Sequence, residues 1–186
     1  ETWENGLGDW YAEKGTWEVG VPSSGPGSAY EGNNCAATVL DGNYALNVDS
    51  RLISPSVTIA AAEQHPRLRF WQWFSISGAD YGKVQINTEG SSKWVDISEN
   101  FIHTGSNTWT YASVDLSDYA GQTVQIAFLF HAQDAGYGGD ESTGWYIDDI
   151  EIVTGPYTFN NPEGFECGIG DWASEKGTWE VGTPSS

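Results

Sequence analysis

Val124-Gln125-Ile126-Ala127-Phe128-Leu129-Phe130-His131 sets Val124, Ile126, Phe128 and Phe130 in strict alternation with Gln125, Ala127, Leu129 and His131. A period of two places alternate side chains on opposite faces of a strand, with one face in a core. Working outward, Val84 and Ile86 alternate with Lys83, Gln85 and Asn87, and Trp17 and Val19 with Thr16 and Glu18. Residues 67–74 read RLRFWQWF: Leu68, Phe70 and Phe74 face the core, and Arg67, Arg69, Trp71 and Trp73 share the other face. Asn5-Gly6, Asp41-Gly42, Gly78, Gly90, Gly121 and Gly155 punctuate these runs as turns. Helical periodicity is nearly absent, apart from one turn expected at residues 115–120. The pattern predicts an all-β fold, a two-sheet antiparallel sandwich of jelly-roll type.

The chain also repeats itself. Residues 3–24 (WENGLGDWYAEKGTWEVGVPSS) and 165–186 (FECGIGDWASEKGTWEVGTPSS) agree at 16 of 22 positions, Asp9 falling on Asp171 and Trp17 on Trp179. An offset of 162 residues is a domain-sized period. The expected organisation is a repeat unit over residues 1–153, a short proline-punctuated linker over 154–164, and the opening of a second unit over 165–186. Glu1 is no initiator, so the chain is expected to be a processed or excised piece of a longer array. Phe165, Ile169, Trp172 and Trp179 have too little chain around them to be buried locally. They are expected to dock on a neighbouring copy, head to tail, or on the preceding sandwich.

Against 26 acids stand 7 bases, a net charge of −19. Nucleic acid and anionic membranes both need a basic footprint, so neither is an expected partner. No apolar run reaches the roughly 20 residues of a membrane-spanning helix, so no membrane insertion is expected. An acidic chain self-repels, and bound cations relieve that repulsion as well as a solvated surface does.

Residues 144–152, GWYIDDIEI, resemble the closing strand of bacterial MAM-like jelly rolls, a group that includes choice-of-anchor, cleaved-adhesin and immune-inhibitor-A-associated domains. The stretches GTWEVGVPSSGPGSAYEG, NYALNVDSRLISPSVTI and VDLSDYAGQTVQIAFLF agree in the same order. The resemblance implies an extracellular, secreted or cell-surface domain, often stabilised by Ca2+ and found as repeats in adhesins and secreted enzymes. It implies no peptidase activity. Carried over, the calcium ligands are Glu4, Asp49 and Asp148, with Asn47 as a further oxygen. Asp148 and Asp149 occupy adjacent, opposite-facing strand positions, so one carboxylate is expected on the core side with Tyr146 and Ile150. Such a group needs hydrogen bonds, a partner or a metal. Asp134, Asp140 and Glu141 form a second candidate set in the loop before Trp145.

Arg69, Trp71, Trp73 and His131 make a candidate ligand platform if their strands are neighbours, since sugars stack on aromatic rings. A loop or another repeat covering those rings is the alternative reading. Cys35 and Cys167 permit one disulfide, read as a staple between repeats if position 5 lies near position 35. His65, His103 and His131 are scattered, and no HExxH, nucleophile elbow or CxxC occurs, so no enzyme is expected. The sequence therefore reads as a calcium-stabilised adhesive repeat of an extracellular bacterial stalk or filament. The alternative is a carbohydrate-binding module of a secreted enzyme.

Overall fold

Twelve strands succeed one another with two 3-10 turns and no α-helix among the described residues. The structure, a computed structural model, describes residues 1–99, 101–102, 105–133, 140–166, 168–174, 179 and 181–184. The strands are β1 (Tyr11–Glu13), β2 (Glu18–Gly20), β3 (Cys35–Ala37), β4 (Val48–Ile53), β5 (Val57–Thr58) and β6 (Arg67–Ser75). They continue with β7 (Tyr81–Thr88), β8 (Val95–Asp96), β9 (Phe101–Ile102), β10 (Thr110–Asp115), β11 (Thr123–Ala132) and β12 (Gly144–Val153). One antiparallel sheet runs β1-β4-β11-β7-β8, with β5 also on β11 and β9 also on β7. The other runs β10-β6-β12-β3-β2. Sequence-distant strands such as β4 and β11, or β6 and β12, lie side by side, so the chain crosses repeatedly between sheets. This is the two-sheet jelly roll that the alternating pattern predicts.

The opening stretch is β11, at the centre of its sheet between β4 and β7. Val124, Ile126, Phe128 and Phe130 all enter the core. Phe128 meets Phe70 edge-on at 5.0 Å and Trp145 at 5.6 Å, from the opposing sheet. Trp145 donates Nε1–H to the buried Gln72 Oε1 at 3.0 Å. It sits over Gly82, where a Cβ would lie 2.6 Å from the ring, so only glycine fits. Trp3 is completely buried and Trp17 nearly so, tying the opening segment into the same core.

His131 does not share a face with Trp71 and Trp73, because β11 and β6 belong to different sheets. Tyr146 does not face the core either: it is paired with Trp73 on the outer side of the five-stranded sheet, while Trp145 and Ile147 point inward. After Asp148 the pairing slips, and Asp149 adopts φ 47°. This bulge returns Ile150 to the core, so period-two bookkeeping fails across it.

Candidate functional site

The outer face of the β10-β6-β12-β3-β2 sheet carries an aromatic row set by register: Trp71 lies opposite Tyr111 and Asp148, and Trp73 opposite Tyr146. It is not bare. The glycine- and serine-rich stretch of residues 21–34 lies across it. Tyr30 stacks on Trp71 with ring centroids 3.8 Å apart and planes 12° off parallel, and meets Trp109 edge-on. Ser24 Oγ and the Tyr146 hydroxyl share a hydrogen bond of 2.8 Å. Gly25, at φ 60°, passes so close that a Cβ would be 2.5 Å from the Tyr146 ring. Cys35, Ala37 and Tyr146 are sealed beneath, with Trp73, Trp109, Ala29 and Leu40 packed on them. A loop covers this part of the expected platform.

Asp148 fastens that cover. Completely buried, it accepts from Tyr30 N at 3.0 Å and Glu31 N at 3.3 Å through one oxygen, and from Asp149 N at 2.8 Å through the other. Burial pushes its carboxyl up to about 6 despite those donors. Asp149 is also raised, first by burial and then by the Glu31 carboxylate beside it.

The expected calcium set does not assemble. Glu4 binds Asn33 N at 2.9 Å and Asn34 N at 2.8 Å, and these N–H groups hold its carboxyl low. Asp49 lies on the opposite sheet, exposed and 2.7 Å from His131 Nδ1, where Tyr81 stacks on the imidazole at 4.7 Å. Asn47 is exposed and engages Gln133 through its backbone. Asp140 contributes a carbonyl to the Tyr44 hydroxyl, Glu141 is exposed, and Asp134 lies outside the described residues. Among the described residues no three Asp, Glu, His or Cys side chains converge on one point. Cys35 is a free, buried thiol pushed up to about 12 by burial and then by Asp148, and Cys167 lies outside the described residues. The Cys35 thiol is sealed beneath the loop.

At the open end of the same face, Arg67 and Arg69 stand side by side. Asp171 bridges them, 2.5 Å from Arg67 Nη2 and 3.3 Å from Arg69 Nη1. Its other oxygen takes the Thr158 N–H. Burial opposes ionisation of Asp171, but the Thr158 N–H and Arg67 outweigh it and hold the carboxyl low. Arg69 also donates to the Gly170 carbonyl and lies 4.6 Å over the Tyr111 ring. Ser174 N donates to the Tyr111 carbonyl at 3.1 Å. Residues 170–174 thus lie on the sandwich that precedes them. Ile169 and Gly170 wall a cleft of about 450 Å3 with Glu1, Thr2, Trp71, Tyr111 and Glu151.

Of the docking residues named from sequence, only Ile169 approaches the sandwich in this way. Phe165, Trp172 and Trp179 are 38%, 42% and 74% exposed. Trp172 packs on Phe159 of the linker and on Phe165 of its own segment. Sequence reasoning missed Tyr30, Asp80 and Asp171. Tyr30 is the only aromatic in SSGPGSAYEGNN and could have been found on that ground. Asp80, completely buried, accepts from the Tyr44 hydroxyl at 2.8 Å and Gln133 N at 2.7 Å. In sequence it looks like an ordinary turn acid.

No family model matches the chain. In an alignment 159 positions long that covers 82% of this chain, it is 33% identical to Bacillopeptidase F of Bacillus subtilis, and it spans about a tenth of that relative (10%). Among solved structures it is similar to the K2 cleaved adhesin domain of Lys-gingipain, with TM-score 0.57 and 19% identity over 83% of this chain and 97% of that one. It is also similar to TmCBM61, solved with β-1,4-galactotriose, with TM-score 0.55 and 14% identity over 82% of this chain and 94% of that one. At such identities these two likenesses establish the jelly-roll fold.

Proposed function

We propose that the chain is a non-catalytic adhesive domain of an extracellular bacterial protein, repeated head to tail. One observation carries this reading: the turn of residues 3–10 recurs with the same local conformation at residues 165–172, but without a core. In the first copy Trp3 and Trp17 are buried; their counterparts Phe165 and Trp179 are exposed. The second set of rings belongs to a sandwich that would follow. The likeness to an adhesin domain supports the adhesive role, and a peptidase relative many times longer supports residence in a secreted, multidomain protein. The test is a chain in which residue 186 continues into the sequence of residues 25–153. Amide protection around Trp172 and Trp179 should rise to that around Trp10 and Trp17. If it stays at the level of the 186-residue chain, the repeat reading fails.

A second reading, a carbohydrate-binding module, is favoured by the cleft. It offers Trp71 and Tyr111 as apolar surface and Glu1 and Glu151 as acceptors for hydroxyls, and the TmCBM61 fold likeness agrees. Glycan retention that Trp71→Ala or Tyr111→Ala removes would make it the better reading. Retention of no glycan at millimolar concentration sinks it.

Calcium enters the proposal at Asp149 and Glu31 rather than at Asp49, because two carboxyls in contact need a shared proton or a cation. Acids raised in the fold stabilise it fully below their unfolded values, near 3.8, and lose that contribution as pH rises through the folded value, about 6 for Asp148. Acids held low, such as Asp171 and Asp115, matter only below about pH 4.5. With chelator present, Tm should therefore fall between pH 5 and pH 7. Excess calcium should restore it at pH 7, through a stabilisation of about 2–3 kcal/mol at a hundredfold over Kd, and much less at pH 5. Identical melts with calcium and with EDTA at pH 7 remove the ion from the proposal.

A further inference from the structure

Arg67 and Arg69 are two of only 7 bases in the chain, and they stand two positions apart on one face of β6. Arg67 is only 4% exposed, donating to the His65 and Gly155 carbonyls and lying 4.6 Å over the Tyr157 ring. Two adjacent guanidiniums, one of them buried, need an anion. Asp171 supplies it across 104 residues of sequence.

Asp171 is the counterpart of Asp9, and the turns that carry them, residues 3–10 and 165–172, share one local conformation. Trp3, Gly6 and Gly8 have φ of 60°, 82° and 58°; Phe165, Gly168 and Gly170 have 55°, 87° and 60°. Gly6 N donates to Trp3 O and Trp10 N to Leu7 O; Gly168 N donates to Phe165 O and Trp172 N to Ile169 O. Rings Trp3 and Trp10 meet at 5.3 Å and 65°, rings Phe165 and Trp172 at 5.8 Å and 63°. Even the entry is repeated: Glu1 accepts from Trp3 N, and Glu163 from Phe165 N. This turn has two faces. Its rings point into the core of its own unit in the first copy. Its aspartate, on the other side, is exposed at Asp9, which joins none of the ion pairs among the described residues, and clamped at Asp171.

We propose that Arg67 and Arg69 are the receptor for the opening turn of the next unit, read through its aspartate, and that Asp9 presents the same group to the arginine pair of a preceding unit. This rests on the tandem reading above and adds the contact that orients one unit on another. Each opening turn serves two sandwiches, its rings filling one and its carboxylate gripping the other. Charge-assisted pairs of this kind fix geometry as well as adding affinity. The short linker ending at Gly164 holds the carboxylate near its receptor, so the contact needs no intrinsic strength in trans.

Two measurements test it. In the 186-residue chain, Asp171→Asn should raise the exchange rate of the Ser174 amide about tenfold or more, whereas Asp9→Asn should leave it unchanged. Unchanged exchange in Asp171→Asn overturns the proposal. In a two-unit chain of residues 1–162 followed by 1–186, small-angle scattering should report one inter-unit orientation. Replacing the second unit's Asp9 by asparagine, or Arg69→Gln in the first unit, should broaden the distance distribution while both units keep their melting temperature. A distribution that neither change moves also overturns it. The tandem reading is judged separately, by protection of Trp172 and Trp179, and can stand while this clamp fails.

Discussion

Trp145→Ala should leave the sandwich close to unfolded at room temperature. The side chain is completely buried where the two sheets meet, touching Phe128 at 5.6 Å and Trp17 at 6.0 Å between ring centroids. Removing a buried tryptophan costs about 3–5 kcal/mol in transfer and cavity terms. The Gln72 Oε1 that accepts its N–H is also buried, and an orphaned acceptor adds about 1–3 kcal/mol. Gly82, which has no side chain and lies directly under the ring, cannot fill the hole. Domains of this size have about 5–15 kcal/mol in hand, so most of the margin goes. Trp71→Ala is the contrast. That ring lies outside the core under Tyr30, and its loss should cost less than about 2 kcal/mol. Guanidinium melts of the two variants check the difference. Equal losses would mean that the two faces of the five-stranded sheet are not as unequal as the burial indicates.

That inequality also explains what could be read from the sequence. β11 was legible because a central strand with one face in the core alternates without interruption from Val124 to Phe130. The outward set on β6 was legible for the same reason, and Arg69, Trp71 and Trp73 are where the pattern places them. Which strands are neighbours is a long-range property, and His131 was misplaced because periodicity carries no information about it. Tyr146 misled for a different reason. The loop over the outer face makes that side apolar too, so both faces of β12 read as core, and the bulge after Asp148 breaks the count. Asp49 was grouped with Asp148 by resemblance, although β4 and β12 are in different sheets. The recurrence of the opening turn was fully visible. Its contact with Arg67 was not, since nothing local to Asp171 or to Arg67 announces a partner 104 residues away.

Asp148→Ala should release the loop of residues 21–34 and expose the thiol beneath it. Asp148 is the acceptor for Tyr30 N and Glu31 N, and with both bonds gone Tyr30 loses the anchor that keeps its ring on Trp71. Global stability should change by less than about 2 kcal/mol at pH 7. The lost hydrogen bonds are offset by removing a buried carboxylate whose ionisation is already costly there. The large effect is local. Cys35 is completely buried in the cluster under this loop, and its thiol is pushed up to about 12, first by burial and then by Asp148 itself. Lifting the loop removes the first cause and the substitution removes the second, so thiolate and access increase together. In a Cys167→Ser background, labelling of Cys35 by a maleimide should accelerate at least about tenfold in Asp148→Ala. Asp148→Asn separates the two causes: it removes the charge but keeps an amide oxygen for Tyr30 and Glu31, so labelling should stay slow. Fast labelling in both variants would assign the protection of Cys35 to charge rather than to the loop. Slow labelling in both would mean that Ser24 on Tyr146 and the stacking of Tyr30 hold the cover without Asp148.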